Sequence, residues 1–197
     1  PSKELSAVSI ADTTFILNKN TIVAKDTTTS PARGPEALVY VKQADYSSTY
    51  TLTLTKSGTS STVSFATKSS TQSSTALTQN AERGASTDLI ATNLNTFSTA
   101  VINTGFYDNP VNAALSASAL GLTVTRYGSV LHIQSNDTTD FQVTVADSHG
   151  GDHLLVFKDE TPDFKKLPVE VPNIFLIKVS GDNQKAQDDF YVKFADG

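Results

Sequence analysis

Cysteine, methionine and tryptophan are all absent from the 197 residues. Without cysteine the chain holds no disulfide framework, no thiolate-type zinc site and no cysteine nucleophile. The redox compartment is left open by that absence. Methionine is missing even at position 1, which is Pro1, so the expectation is a segment cut from a longer polypeptide. No charged-then-apolar leader opens this piece. Long apolar runs are lacking too. Runs such as Ile174 to Ile177 are far short of the roughly 20 residues a membrane-spanning helix needs, so no membrane partner is expected. Basic clusters are also missing: the longest is Lys165-Lys166, in a chain of net charge −5 and pI near 5.1. A protein that grips phosphates presents a basic face. Specific or sequence-general DNA binding is therefore not expected, although passive passage of DNA is compatible with this charge.

What is present is apolar, hydroxylated and strand-like. Hydrophobic residues make up 38% of the chain and charged residues only 18%, which permits a core and leaves much of the surface to Ser and Thr. The stretch SIADTTFILNKNTIVAK (9–25) reads as a hairpin. Its apolar runs are Thr14 to Leu17 and Thr21 to Ala24, and Asn18-Lys19-Asn20 forms the turn. A polar linker with Pro31, Gly34 and Pro35 follows. Residues 37–43 read as a strand. In STYTLTLTKS, Tyr50, Leu52 and Leu54 alternate with threonines, the period of a half-buried strand. Ser57-Gly58-Thr59 turns it into a return strand with Val63 and Phe65 inward. Residues 68–80 are rich in Ser, Thr and Gln and read as an exposed loop or mobile tip.

The period then changes. Ile90, Leu94, Phe97 and Val101 form an amphipathic stripe, predicting a helix over 86–104 with Ser86 or Thr87 as its cap. A second, shorter helix is expected after Asn109-Pro110, ending at Gly121. Strands resume as a hairpin around Tyr127-Gly128-Ser129. Next comes a strand with Phe141, Val143 and Val145 on one face, and then a short run at 153–159. The run at 173–181 is expected to be buried on both faces, and the last strand to carry Phe190, Val192 and Phe194 inward. The fold class is α+β, mainly antiparallel sheet with one amphipathic helix and a second short one.

Sites of chemistry are scarce. No GxSxG elbow, P-loop, GxGxxG or HExxH occurs. Asp147, His149, Asp152 and His153, in ADSHGGDHLL, are imidazoles and carboxylates close enough in sequence to share a metal. Against that, two adjacent glycines give a loose frame, and a polar turn between strands accounts for the same residues. Asp159-Glu160 and Asp188-Asp189 are adjacent on strands, so the members of each pair point to opposite faces and neither makes a hydrolytic dyad. A pair from separate segments, such as Asp147 with Asp159, is neither formed nor excluded by the sequence. His132 faces opposite to Leu131 and Ile133, as a surface or internally satisfied histidine. Asn136 begins a formal glycosylation sequon. Tyr46, Tyr50, Tyr107 and Tyr127 are the aromatics that a glycan- or receptor-binding module would stack on sugars. No catalytic, cofactor or metal residue is assigned, and the chain is not expected to be an enzyme. A polysaccharide hydrolase is the remote alternative.

Residues 9–25 resemble a segment of tail tubular protein B, the nozzle protein family of short-tailed bacteriophages (podoviruses). The matching residues are Ala11, Asp12, Thr14, Phe15, Ile16, Leu17, Asn18 and Lys19, followed by Ile22 and Val23. FKKLP (164–168), FLIKVSGD (175–182) and DDFYVKFA (188–195) match later family segments in the same order. Between them the family's strands, amphipathic helix and hairpin line up with EALVYV, TYTLTL, 86–104 and LTVTRYGSVLHI. Departures are Thr13 where the family has an aromatic, a longer Ser/Thr-rich stretch over 57–85, and an insertion at 105–120. The resemblance implies a virion tail protein that forms a hexameric ring with other copies of itself. It also implies contact with the tail adaptor protein and tail fibres, and passage of the genome on ejection. It further suggests that 1–26 and 168–197 supply strands to a larger scaffold or a shared sheet, with 37–160 as an inserted α+β domain. A single compact domain is the alternative.

Overall fold

The computed structural model describes residues 4–22, 33–95, 117–173, 175–181 and 189–195, in two units, Pro1–Ala32 and Arg33–Gly197. The smaller unit is one antiparallel hairpin of β1 (Leu5–Ile10) and β2 (Thr13–Asn18). A hairpin forms, but it shares only one strand, Thr14 to Leu17, with the expected one, and its turn lies elsewhere. Ala11, at φ 52°, and Asp12 make the two-residue turn, so β1 lies upstream of the expected first strand. Asn18-Lys19 instead closes the open end: Lys19 N–H donates to the Glu4 carbonyl at 2.7 Å. Residues 21–22 are not in a strand, and Val23 and Ala24 lie outside the described residues.

The larger unit holds β3 (Glu36–Val41), β4 (Thr49–Lys56), β5 (Thr59–Ala66), α1 (Thr75–Gly84) and α2 (Thr87–Asn95). It continues with β6 (Leu122–Tyr127), β7 (Val130–Ser135), β8 (Phe141–Ala146), β9 (Leu154–Phe157), β10 (Glu160–Thr161), β11 (Leu176–Val179) and β12 (Phe190–Lys193). Three sheets result, in the orders β6-β7-β3-β9, β5-β4-β8 and β10-β11-β12. Pairing is antiparallel except for the short β10–β11 contact. The α+β, mainly antiparallel class is as expected.

The four-stranded sheet is central because both of its faces are covered. Period two splits β3: Ala37, Val39 and Val41 join a main core, and Leu38 joins a second one. Its neighbour β7 divides the same way, Leu131 and Ile133 against Val130. The main core is completed by Tyr50, Leu52 and Leu54 of β4, Val63 and Phe65 of β5, Phe141 of β8, and Ile90 and Leu94 of α2. The second gathers Phe157, Phe175 and Ile177, with Val192 and Phe194 packed against them. Each fully buried aliphatic or aromatic side chain contributes roughly 1.5–3 kcal/mol. Lys56 ends the inward row of β4, and its ammonium is not orphaned. It donates to the Gly121 carbonyl (3.1 Å) and Ser135 Oγ (2.8 Å) and pairs with Asp137 (3.0 Å).

Turn chemistry explains the joints. Ser57 and Gly58 both take positive φ, 52° and 79°, as a tight hairpin of the expected place requires. Ser86 caps α2 by accepting from Leu89 N–H at 3.2 Å.

Several expectations are corrected. The stretch 68–80 is not all loop, because α1 begins at Thr75. Ser74 Oγ caps it by accepting from Leu77 N–H. Its pattern is weak because, among its described residues, Ala81 and Gly84 alone are buried. The described part of α2 ends at Asn95; Phe97, Val101 and most of the expected second helix lie outside the described residues. What is described before Gly121 is a single 3-10 turn, Ala117–Leu120. β11 is covered on one face only: Ile177 and Val179 are buried, but Leu176 is 45% exposed. The small sheet has a second core beneath it and nothing described above it. Phe190, expected inward, is on the covered face opposite Val179, yet it is half exposed because it sits at the end of β12.

Candidate functional site

The acidic-histidine stretch is a backbone clamp. Asp147 Oδ1 accepts from the N–H groups of His149 and Gly151, both at 2.8 Å, and Oδ2 from those of His153 and Leu154, both at 2.9 Å. Positive φ at Gly150 and Gly151 lets the chain wrap round the carboxylate. Partial burial opposes its charge, but the four N–H groups outweigh that and hold the carboxyl at about 2. The His149 and His153 rings stack at 3.9 Å between centroids and 19° between planes. Face-to-face rings do not aim their nitrogens at one point. His149 Nε2 lies 2.7 Å from Ser48 Oγ, and Asp152 is exposed. Among the described residues no three His, Asp or Glu side chains are placed to hold a metal.

The other carboxylates are tied to lysines. Asp159 lies 3.3 Å from Lys158 Nζ; Glu160 and Asp189 lie 3.4 and 2.8 Å from Lys178 Nζ. Asp188 is outside the described residues. Asp147, with both oxygens taken by backbone, has no lone pair left to work with Asp159. His132 is a satisfied internal histidine: Nε2 is 2.9 Å from Glu36 Oε2, and its ring meets Phe175 edge-on at 6.1 Å. Burial raises the Glu36 pKa, but the bonds to His132 and Arg33 outweigh it and leave the carboxyl below its ordinary range. Asn136 is exposed, with Oδ1 accepting from Thr123 Oγ1 at 2.7 Å.

Of the four tyrosines, the three described do not converge on one groove. Tyr50 is a core residue at 0% exposure, which corrects its place among the exposed aromatics; its hydroxyl accepts from Asp45 N–H. It lies on the inward row of β4, and that row was legible. Tyr107 is outside the described residues, and Tyr46 is half-buried. Tyr127 is the exposed one. It lines an open cavity of about 470 Å3 with Gly128, Glu170, Asn173 and Phe194. Its walls come from the β6–β7 turn, the segment 169–173 and the end of β12, so no local sequence signal joins them.

The hairpin is the unusual surface. Every residue of β1 and β2 is exposed, including Phe15 (57%), Ile16 (70%) and Leu17 (58%). Cross-strand partners share a face. One face carries Val8, Phe15, Ile10 and Leu17; the other carries Leu5, Ala7 and Ile16. Neither strand holds a charge. The sequence reading found β2 but missed β1, where Leu5, Val8 and Ile10 were the available signal.

No helix of the described residues is long and apolar enough to cross a membrane. A comparison with curated proteins returns no match. The family model described as bacteriophage nozzle protein matches residues 1–197, the whole chain, in agreement with the resemblance carried by residues 9–25 and 164–195. The chain therefore belongs to the bacteriophage nozzle protein family, structural proteins of the virion tail.

Proposed function

We propose that this chain is a wall segment of the phage tail tube, one of the subunits of a hexameric ring through which the genome is held and then ejected. The observation that carries this reading is the hairpin. A two-stranded sheet is marginal by itself in water, and contiguous exposed apolar surface marks a contact. Both faces of β1 and β2 carry large apolar side chains and no charge, so the fitting occupant is another protein surface, the neighbouring copy in the ring. Covering the six large side chains of the pair recovers roughly 1 kcal/mol each, since each is already partly shielded. Further partners in this reading are the tail adaptor protein and tail fibres. The role is structural and not enzymatic. Net charge −5 and the lack of a basic run favour a wall past which DNA phosphates slide without specific binding. The domain division goes with it: 37–160 as an insertion, with 1–26 and 168–197 supplying strands to the larger scaffold.

Quantitative mass spectrometry of purified virions tests this, with LPVEVPNIFLIK (167–178) as reporter peptide. A few copies per particle, matching the adaptor, are expected, together with crosslinks between copies through residues 5–18. Copy numbers unrelated to the adaptor, or crosslinks from 5–18 to nothing in the tail, overturn the ring reading.

A further inference from the structure

We infer that the cavity at Tyr127 is a binding site for a neutral saccharide of one or two rings. Two aromatic residues from separate elements line it, Tyr127 at the end of β6 and Phe194 just after β12. Both rings are backed by others: Tyr127 lies 6.5 Å from the His132 ring and Phe194 6.2 Å from that of Phe175. Such rings offer flat apolar faces to the C–H face of a sugar. Two polar groups beside them are uncommitted. The Tyr127 hydroxyl and the Glu170 carboxylate have no hydrogen-bond or ion-pair partner among the described residues, whereas Glu36, Asp140 and Asp189 are bonded to Arg33, Lys158 and Lys178. The turn makes room for Glu170. Gly128 has φ +52°, and a Cβ there would come within 2.9 Å of Glu170 Oε2. A carboxylate and a phenol beside two rings supply acceptors for sugar hydroxyls.

Size and charge narrow the ligand. About 470 Å3 lies within the range of small-ligand pockets and is far more than one lysine side chain occupies. An unpaired carboxylate on a chain of net charge −5 repels anionic sugars, so the neutral class fits. This inference does not depend on the ring: a tail subunit of any stoichiometry can carry the site.

The test is a titration of the whole isotope-labelled chain followed by amide chemical shifts. The probes are maltose, cellobiose and N,N′-diacetylchitobiose, with trilysine as the comparator. At least one disaccharide is expected to shift the amides of Gly128, Glu170 and Asn173 with millimolar affinity. Tyr127→Ala should weaken it about tenfold or more, and Glu170→Gln about threefold. Unchanged shifts elsewhere certify the fold of each variant, and Glu170→Gln carries the test if Tyr127→Ala does not fold. Absence of shifts from all three sugars at about 20 mM overturns the inference. So do shifts that survive both substitutions. Shifts from trilysine alone would make the cavity a receptacle for a basic side chain instead.

Discussion

β4 and β2 are both short strands facing an antiparallel partner, yet their fates differ. Tyr50, Leu52 and Leu54 of β4 are wholly buried between a second sheet and α2. Phe15, Ile16 and Leu17 of β2 are all more than half exposed. The difference lies in what covers them. β4 has β5 and β8 at its edges and a core beneath it, all from the same unit. β2 has β1 alone. An apolar pattern says that a face is to be covered; it does not say by which molecule. In the ring proposed above, the hairpin is the part of this chain whose cover comes from assembly.

That contrast can be broken or sharpened by substitution. Phe65→Ala in the main core should destabilise the chain by about 3–5 kcal/mol in urea unfolding. The matched change Phe15→Ala in the hairpin should move the midpoint by less than about 0.5 kcal/mol. Similar losses at both positions would mean that the hairpin is already packed in the free chain.

Asp147→Ala comes next. It leaves four backbone N–H groups without their acceptor, and about 2–3 kcal/mol is expected because water reaches some of them. Hydrogen exchange should speed up at Gly151 and Leu154 before it does in β3. If exchange there is unchanged, the clamp is not holding the turn.

The same carboxylate sets a pH dependence. Its pKa in the folded chain, about 2, is below its ordinary value of 3.8. A depressed carboxylate contributes stability that is present above the ordinary value and is lost as pH falls through the folded value. Stability should therefore decline between about pH 4 and 2, with Asp147 contributing on the order of 1 kcal/mol after solvent screening. Asp137 is lowered to about 2 as well, by the Thr139 N–H first and by Lys56, and acts in the same direction. Asp147→Asn should flatten the decline without abolishing it. An identical profile would assign the whole effect elsewhere.

The smallest effect on stability carries the largest consequence for assembly. Phe15→Ser with Ile16→Ser should leave the urea midpoint within about 0.5 kcal/mol. Incorporation into tails, read by the reporter peptide in purified particles, should nevertheless fall sharply.

Legibility in the sequence followed the source of each residue's neighbours. β4 and β5 were readable because alternation, turn and return strand are contiguous. The apolar run of β3 was readable as a strand, but its two-sided burial depends on β11, more than a hundred residues later. The turn at Ala11-Asp12 was misplaced because Asn18-Lys19-Asn20 has stronger turn chemistry and lies at the hairpin's open end. The Asp147 stretch was legible as a polar turn; its four-fold acceptor role was not, since that needs the backbone path. β11 misled because four consecutive apolar residues look like a doubly covered strand, whereas Phe175 and Ile177 reach the core and Leu176 between them faces out.

The most direct test of the central claim is hydroxyl-radical footprinting of residues 5–18, comparing the free chain with intact virions. Phe15, Ile16 and Leu17 should be heavily labelled in the free chain and strongly protected in the assembled tail, with Tyr50 and Phe65 protected in both. Equal labelling of the hairpin in free and assembled protein would contradict the account, because its apolar faces would then have no partner in the tail.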